Sequence, residues 1–199
     1  MDPVRAPVVA GQFYPGAARP LESQIVAFLA NVDAEPVAGT ILGLISPHAG
    51  YAYSGQTAAY AFAQVRGVSY DTVVVLSPLH RMPGRFAITA SRAYQTPLGS
   101  VPLDEDLVDA LGKEIDIQRV SYDAEHSLEV QVPFLQVVLQ GFKLLPVMVG
   151  DPSFAAGAAL GEALALAREA NGYLDHKAPW FEIKEDPQAA ATTVYITLR

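Results

Sequence analysis

The chain has 199 residues, 51% of them hydrophobic and 17% charged, and a formal net charge of −8 at pH 7. This balance predicts a globular protein and excludes a disordered chain, and the negative charge argues against nucleic acid and anionic membranes as partners. The absence of cysteine excludes disulfides and thiolate ligands. No segment resembles a signal peptide or a membrane span, so we expect one cytoplasmic α/β domain over residues 1–199.

The first predicted elements are an extended arm, Arg5 to Tyr14, and a helix, Pro20 to Val32. The helix is indicated by apolar residues at helical spacing. They are Leu21, Ile25, Phe28 and Leu29.

The next segment predicts a buried strand that delivers a histidine to a sheet edge. The apolar run Ile41 to Ile45 stops at Ser46-Pro47, because proline has no N–H for a sheet ladder, and His48 follows at once. After a Gly/Tyr loop, Ser54 can cap a helix from Gly55 to Val65. The histidine is therefore expected at the carboxyl edge of the sheet, where open α/β sheets bind ligands.

A second strand repeats this pattern. Thr72 to Leu76 also ends in Ser-Pro, and His80 comes one residue after Pro78. If the two strands are parallel neighbours, His48 and His80 emerge side by side and begin a metal site. The alternative for each is a loop histidine hydrogen-bonded to backbone, and the repeated Ser-Pro context favours the metal site.

The remaining elements continue the alternation of strands and helices. It predicts a largely parallel sheet covered by helices on both faces. The predicted elements are a strand over Arg85 to Tyr94, a helix over Leu103 to Leu111, a strand over Lys143 to Val149, a helix over Phe154 to Ala170 and a terminal strand over Thr192 to Leu198.

The segment Asp123 to Leu135 holds a third histidine at the start of a predicted helix. Near the same sheet edge, Glu125 and His126 could act as catalytic groups, by carrying protons or adding a metal ligand. The alternative is that Asp123 or Glu125 caps the helix while His126 only packs.

Several other polar residues could take part in chemistry. The serines of the two Ser-Pro pairs have no nucleophile elbow around them, so we expect strand-end hydrogen bonds. The tyrosines could line a pocket or be ordinary loop residues, and an acidic–histidine pair near the C-terminus has little context. These residues are Ser46, Ser77, Tyr51, Tyr53, Asp175 and His176.

Six segments, in order, resemble the Memo family, whose bacterial members are known as protein B of the AmmeMemoRadiSam system. The resemblance covers about Arg5 to Ala170. The segments are VAGQFYPG (Val9 to Gly16), ISPHAGYAYSGQTAA (Ile45 to Ala59), LSPLH (Leu76 to His80), TPLG (Thr96 to Gly99), EHSLEVQVPFLQ (Glu125 to Gln136) and LLPVMVGD (Leu144 to Asp151).

The resemblance implies an αβα sandwich related to class III extradiol dioxygenases, which use non-haem iron(II). It also implies that His48 and His80 are the two histidines that bind iron or copper in the family. His126 matches a motif histidine that lines the same pocket.

The chain departs from the family after Ala170. Members continue with a Ser-Ser-Asp-x-x-His motif and later a cysteine that completes the metal site, and this chain has neither, so residues 171–199 are atypical. Two imidazoles alone are too few for a tight site. We therefore expect weak metal binding and little dioxygenase activity, unless Glu125, His126, Asp175 or His176 replaces the missing groups.

The function predicted from the sequence is metal binding with a redox or dioxygenase-like role. Iron(II) or copper is the expected metal, with zinc as an alternative. One rival is a non-enzymatic module that holds a small molecule or peptide in the same cleft. The other is a metal-dependent hydrolase with His126 or Glu125 as its base.

Overall fold

A computed structural model describes residues 3–35, 37–39, 41–170 and 194–198. The predicted Asp175 and His176 pair lies outside these residues. In chain order the described elements are β1 (Val4–Arg5), α1 (Ala18–Ala30), β2 (Gly43–Ser46), α2 (Tyr51–Ala63), β3 (Thr72–Pro78), β4 (Phe86–Thr89), β5 (Ala93–Thr96), β6 (Gly99–Pro102), α3 (Glu105–Glu114), β7 (Gln118–Val120), a 3-10 helix (Glu129–Gln131), α4 (Val132–Val138), β8 (Lys143–Val149), α5 (Phe154–Ala170) and β9 (Val194–Leu198).

The main sheet has six strands in the order β2-β9-β3-β8-β4-β7. Strand β3 pairs with β8 and β4 with β7 in parallel, whereas β9 is antiparallel to both of its neighbours and β4 is antiparallel to β8. The sheet is therefore mixed rather than largely parallel. Strands β2 and β3 run in the same direction, but β9 lies between them, so they are not the direct neighbours that the argument from the sequence supposed.

Helices cover this sheet in two groups, which confirms the predicted α/β class. Helices α1, α2 and α4 pack together, and α3 packs against α5. In the first group the rings of Phe62 and Phe134 stack with centroids 4.8 Å apart. A second sheet of three strands, β1-β5-β6, joins the N-terminal arm to the β5–β6 hairpin.

Helix α2 begins four residues earlier than predicted. Gly50 is its N-cap, and Ser54 lies within the first turn, where its hydroxyl donates to the Ala49 carbonyl. The Tyr51 N–H donates to the Phe13 carbonyl at 2.7 Å, so the N-terminal arm satisfies a helix-end amide that a side chain would otherwise cap. This start buries Tyr51, while Tyr53 is 89% exposed.

The predicted arm and the first strand are both shorter than expected. The arm is a strand only at Val4–Arg5, and residues 11–13 form a turn closed by the Gly11 N–H and the Tyr14 carbonyl. Strand β2 is half-buried, with Leu44 inside and Ile45 exposed. No helix among the described residues has the length and apolar character needed to cross a membrane.

Candidate metal centre

Two strands deliver histidines to the same sheet edge. His48 follows β2 after Pro47, and His80 follows β3 after Leu79. With β9 between them, the strands lie two spacings apart, about 10 Å. The two imidazole centroids are nevertheless only 5.3 Å apart, so the residues beyond the strand ends converge.

One segment holds both strand ends in this converging position. The Ser127 hydroxyl donates to the Pro78 carbonyl at 2.9 Å, and the Gln131 amide donates to the Pro47 carbonyl at 3.1 Å. Both donors lie on the turn and 3-10 helix that precede α4. The paired Ser-Pro ends are thus hydrogen-bonded to the segment that carries the third histidine.

His126 joins the other two imidazoles. Its ring centroid is 5.0 Å from that of His80, with planes 19° apart, and 6.1 Å from that of His48. The Phe13 ring packs edge-on against it at 5.0 Å. The structure therefore brings together the two predicted metal ligands and the predicted catalytic histidine.

Glu125 lies beneath this cluster, and its carboxylate accepts four N–H groups. They are the His80 N–H at 2.7 Å, the His80 Nδ1–H at 3.0 Å, the His126 N–H at 2.8 Å and the Ser127 N–H at 2.9 Å. Burial alone would raise the pKa of Glu125, but these hydrogen bonds lower it to about 2. The carboxylate therefore stays ionised near neutral pH.

The contact with Glu125 fixes the tautomer of His80. Because Nδ1 donates to the carboxylate, Nε2 keeps its lone pair and is the atom that can bind a metal. The His80 side chain is 40% exposed and that of His126 is 17% exposed, so the centre opens to solvent on the His80 side.

The other two imidazoles are also suited to metal binding. Burial lowers the pKa of both His48 and His126. The His80 and His126 imidazoles lower the pKa of His48 further, whereas the Glu125 carboxylate partly offsets the lowering at His126. Both therefore favour the neutral form, which binds metals. The buried Nδ1 of His48 has no hydrogen-bond partner among the described residues, and the Nδ1 of His126 lies 3.2 Å from Glu125 Oε1. Three imidazoles and an orienting carboxylate fit iron(II), copper or zinc better than magnesium or calcium.

The serines and tyrosines named from the sequence have structural positions. Ser46 and Ser77 are buried, 0% and 2% exposed, which does not suit a nucleophile. The Tyr51 hydroxyl donates to the Val130 carbonyl at 2.8 Å within the core.

Sequence reasoning missed a buried charged network behind Glu125. Arg5 forms ion pairs with Asp123 and Glu129. Tyr94 donates to Asp123, and Tyr14 donates to Glu129 at 2.6 Å. The available signal was the density of acidic residues in the short, otherwise largely apolar segment Asp123 to Leu135, since buried carboxylates need a cation or several N–H donors.

Comparison with known proteins places these features in a family. A sequence model described as "Memo-like protein" matches residues 5–174. A "MEMO1 family protein" of Nitrosopumilus maritimus is 37% identical over 171 residues, which are 81% of this chain and 62% of the relative. Proteins with the same name from Methanosarcina mazei and Methanococcoides burtonii are 35% and 36% identical over 81% and 85% of this chain.

The chain spans a little under two thirds of these relatives, covering 60% and 63% of the latter two. The match includes all three clustered histidines, since it extends from residue 5 to residue 174. The family match and the level of identity show that this chain belongs to the Memo family.

Proposed function

We propose that this chain binds a redox-active transition metal through His48, His80 and His126. Two observations support the proposal. Ligand atoms of His80, Glu125 and His126 lie within 4.8 Å of one another, and the His48 ring lies beside them, with its centroid 5.3 Å from that of His80 and 6.1 Å from that of His126. Two histidines alone are too few for a tight metal site. In the proposed site His126 supplies a third nitrogen, in place of the cysteine that the family resemblance implies.

Each residue has a distinct part in the proposed site. His80 would offer Nε2, because Glu125 occupies its Nδ1–H. His48 and His126 would offer nitrogens that stay unprotonated near neutral pH. When bound, iron(II) or copper would supply one-electron and oxygen chemistry, whereas zinc would supply only a Lewis acid.

We assign Glu125 an orienting role rather than that of a base. A carboxylate whose pKa is about 2 is a poor proton acceptor near neutral pH, and its oxygens already accept four N–H groups. The rival hydrolase mechanism therefore loses one of its two candidate bases. Carboxylates that hold a metal-binding histidine in this way commonly raise metal affinity.

Anaerobic calorimetric titration with iron(II), copper and zinc tests the proposal. We expect one metal per chain, and single alanine substitutions of His48, His80 and His126 should each weaken binding by more than about 10–100-fold, the usual effect of losing only an orienting partner. His176→Ala is the matched comparison among the four histidines, and it should bind like the wild type.

Two results would contradict this assignment. The first is the absence of stoichiometric binding by the folded wild-type chain. The second is weakened binding in His176→Ala together with unchanged binding in His126→Ala, which would move the third ligand away from the described cluster.

A further inference from the structure

We propose that Arg5, in the N-terminal arm, is a positioning residue for the candidate metal centre. Through Glu125 it fixes the direction in which His80 presents its free nitrogen. This role matters for function only if the chain binds a metal as proposed. The contacts that carry it can be tested in the metal-free protein.

The Arg5 guanidinium is buried among three acidic residues that lie more than 100 positions away in sequence. Its side chain is 3% exposed. Nη2 donates to the main-chain carbonyl of Glu125 at 2.6 Å, Nη1 pairs with the Glu129 carboxylate, and Nε lies 3.3 Å from Asp123 Oδ2. One guanidinium thus contacts three residues of the segment that carries His126.

These contacts hold the backbone on both sides of Glu125. Asp123 Oδ1 accepts the Glu125 N–H at 2.9 Å, while Arg5 donates to the Glu125 carbonyl. Both peptide groups of Glu125 are therefore fixed, and its side chain is directed at His80. The carboxylate then sets the His80 tautomer through the contact with Nδ1.

Lysine could not reproduce this arrangement. A guanidinium presents five donors in a planar fork, whereas an ammonium is a single point charge on a flexible stem. Arg5 uses different atoms of the fork for Glu125, Glu129 and Asp123, and its Cζ lies 4.9 Å from the centre of the Tyr94 ring. Arg5→Lys keeps the buried charge but loses the simultaneous contacts.

Nearby tyrosines offer a matched pair of milder changes. The Tyr94 hydroxyl donates to Asp123, the residue that holds the Glu125 N–H. The Tyr14 hydroxyl donates to Glu129, which also accepts the N–H groups of Val8 and Val9. Tyr94→Phe therefore disturbs the support of Glu125, while Tyr14→Phe weakens the attachment of the arm and leaves that support in place.

The experiment measures the His80 imidazole in the metal-free full chain. Nitrogen-15 NMR of the ring distinguishes the Nδ1–H from the Nε2–H tautomer. We expect Nδ1–H in the wild type and in Tyr14→Phe, a mixture of tautomers in Arg5→Lys, and a smaller change of the same sign in Tyr94→Phe. Zinc titration should show about 10–100-fold weaker binding in Arg5→Lys.

The outcomes separate this inference from the proposed function. If Arg5→Lys lowers the melting temperature but leaves the tautomer and zinc affinity unchanged, Arg5 is merely structural and the inference is overturned. If the tautomer changes but the wild type binds no metal, the positioning role stands and the metal function fails. Should Arg5→Lys not fold, an unaltered tautomer in folded Tyr94→Phe overturns the inference.

Discussion

Replacing the Glu125 carboxylate with an amide tests whether this one group both stabilises the fold and orients His80 for metal binding. Among the described residues, the groups that donate hydrogen bonds to this carboxylate are N–H groups of His80, His126 and Ser127. In Glu125→Gln the side chain keeps its shape, but its own NH₂ must face at least one of these donors. The substitution therefore removes a charge and leaves a buried N–H without an acceptor.

The hydrogen bonds to the carboxylate determine how much stability Glu125→Gln should lose. One buried donor left unpaired costs about 1–3 kcal/mol, and each remaining hydrogen bond loses about 1 kcal/mol when its acceptor becomes neutral. We expect the free energy of unfolding to fall by about 4–6 kcal/mol, which lowers the melting temperature by about 8–24 °C in a chain of this size. The His80 tautomer should become mixed, and metal affinity should fall by about 10–100-fold.

Asp104→Asn is the matched control. Asp104 is also a buried carboxylate, and it accepts the Leu107 N–H at the start of α3 and the Thr72 hydroxyl. Thr72 begins β3, about 20 Å from the end that carries His80. The control should lower the melting temperature but leave the metal affinity unchanged. Wild-type affinity and an Nδ1–H tautomer in Glu125→Gln would refute the orienting role.

Two further predictions concern stability. Folding lowers the pKa values of His48 and His126, so the unfolded chain binds more protons than the folded chain below about pH 6.5. The free energy of unfolding, measured with urea, should therefore fall on acidification. A rise in stability on acidification would contradict this prediction. Folding lowers the pKa of Glu125 from 4.5 to about 2, so acidification between these pH values should reduce the free energy of unfolding by up to about 3 kcal/mol more. Glu125→Gln should not show this additional loss. Phe134→Ala should cost about 3–5 kcal/mol in urea unfolding, because its fully buried ring stacks on Phe62; a loss below 1 kcal/mol would contradict the described packing.

Local patterns in the sequence were sufficient to predict most elements and the gathering of the histidines. The run Thr72 to Leu76 and the helical spacing of Leu21, Ile25 and Leu29 lead to β3 and α1, because burial of one face is encoded in the spacing itself. The repeated Ser-Pro strand ends, with a histidine directly after the first and one residue after the second, predicted that His48 and His80 lie at the same sheet edge.

Features that depend on distant residues could not be predicted in this way. Strand β9 lies between β2 and β3, although it comes about 150 residues after β2 along the chain. The earlier start of α2 depends on the Phe13 carbonyl, and the position of Glu125 depends on Arg5. Such long-range pairings leave no periodic signal in the sequence, so they emerge only from the folded structure.

Anomalous scattering from a crystal soaked with iron(II) or copper tests the central claim most directly. The account predicts one strong peak at the metal's absorption edge, about 2.0–2.2 Å from His80 Nε2 and from nitrogens of His48 and His126. A peak bound to other residues, or no peak between these imidazoles in a fully soaked crystal, would contradict the assignment of this cluster as a metal centre.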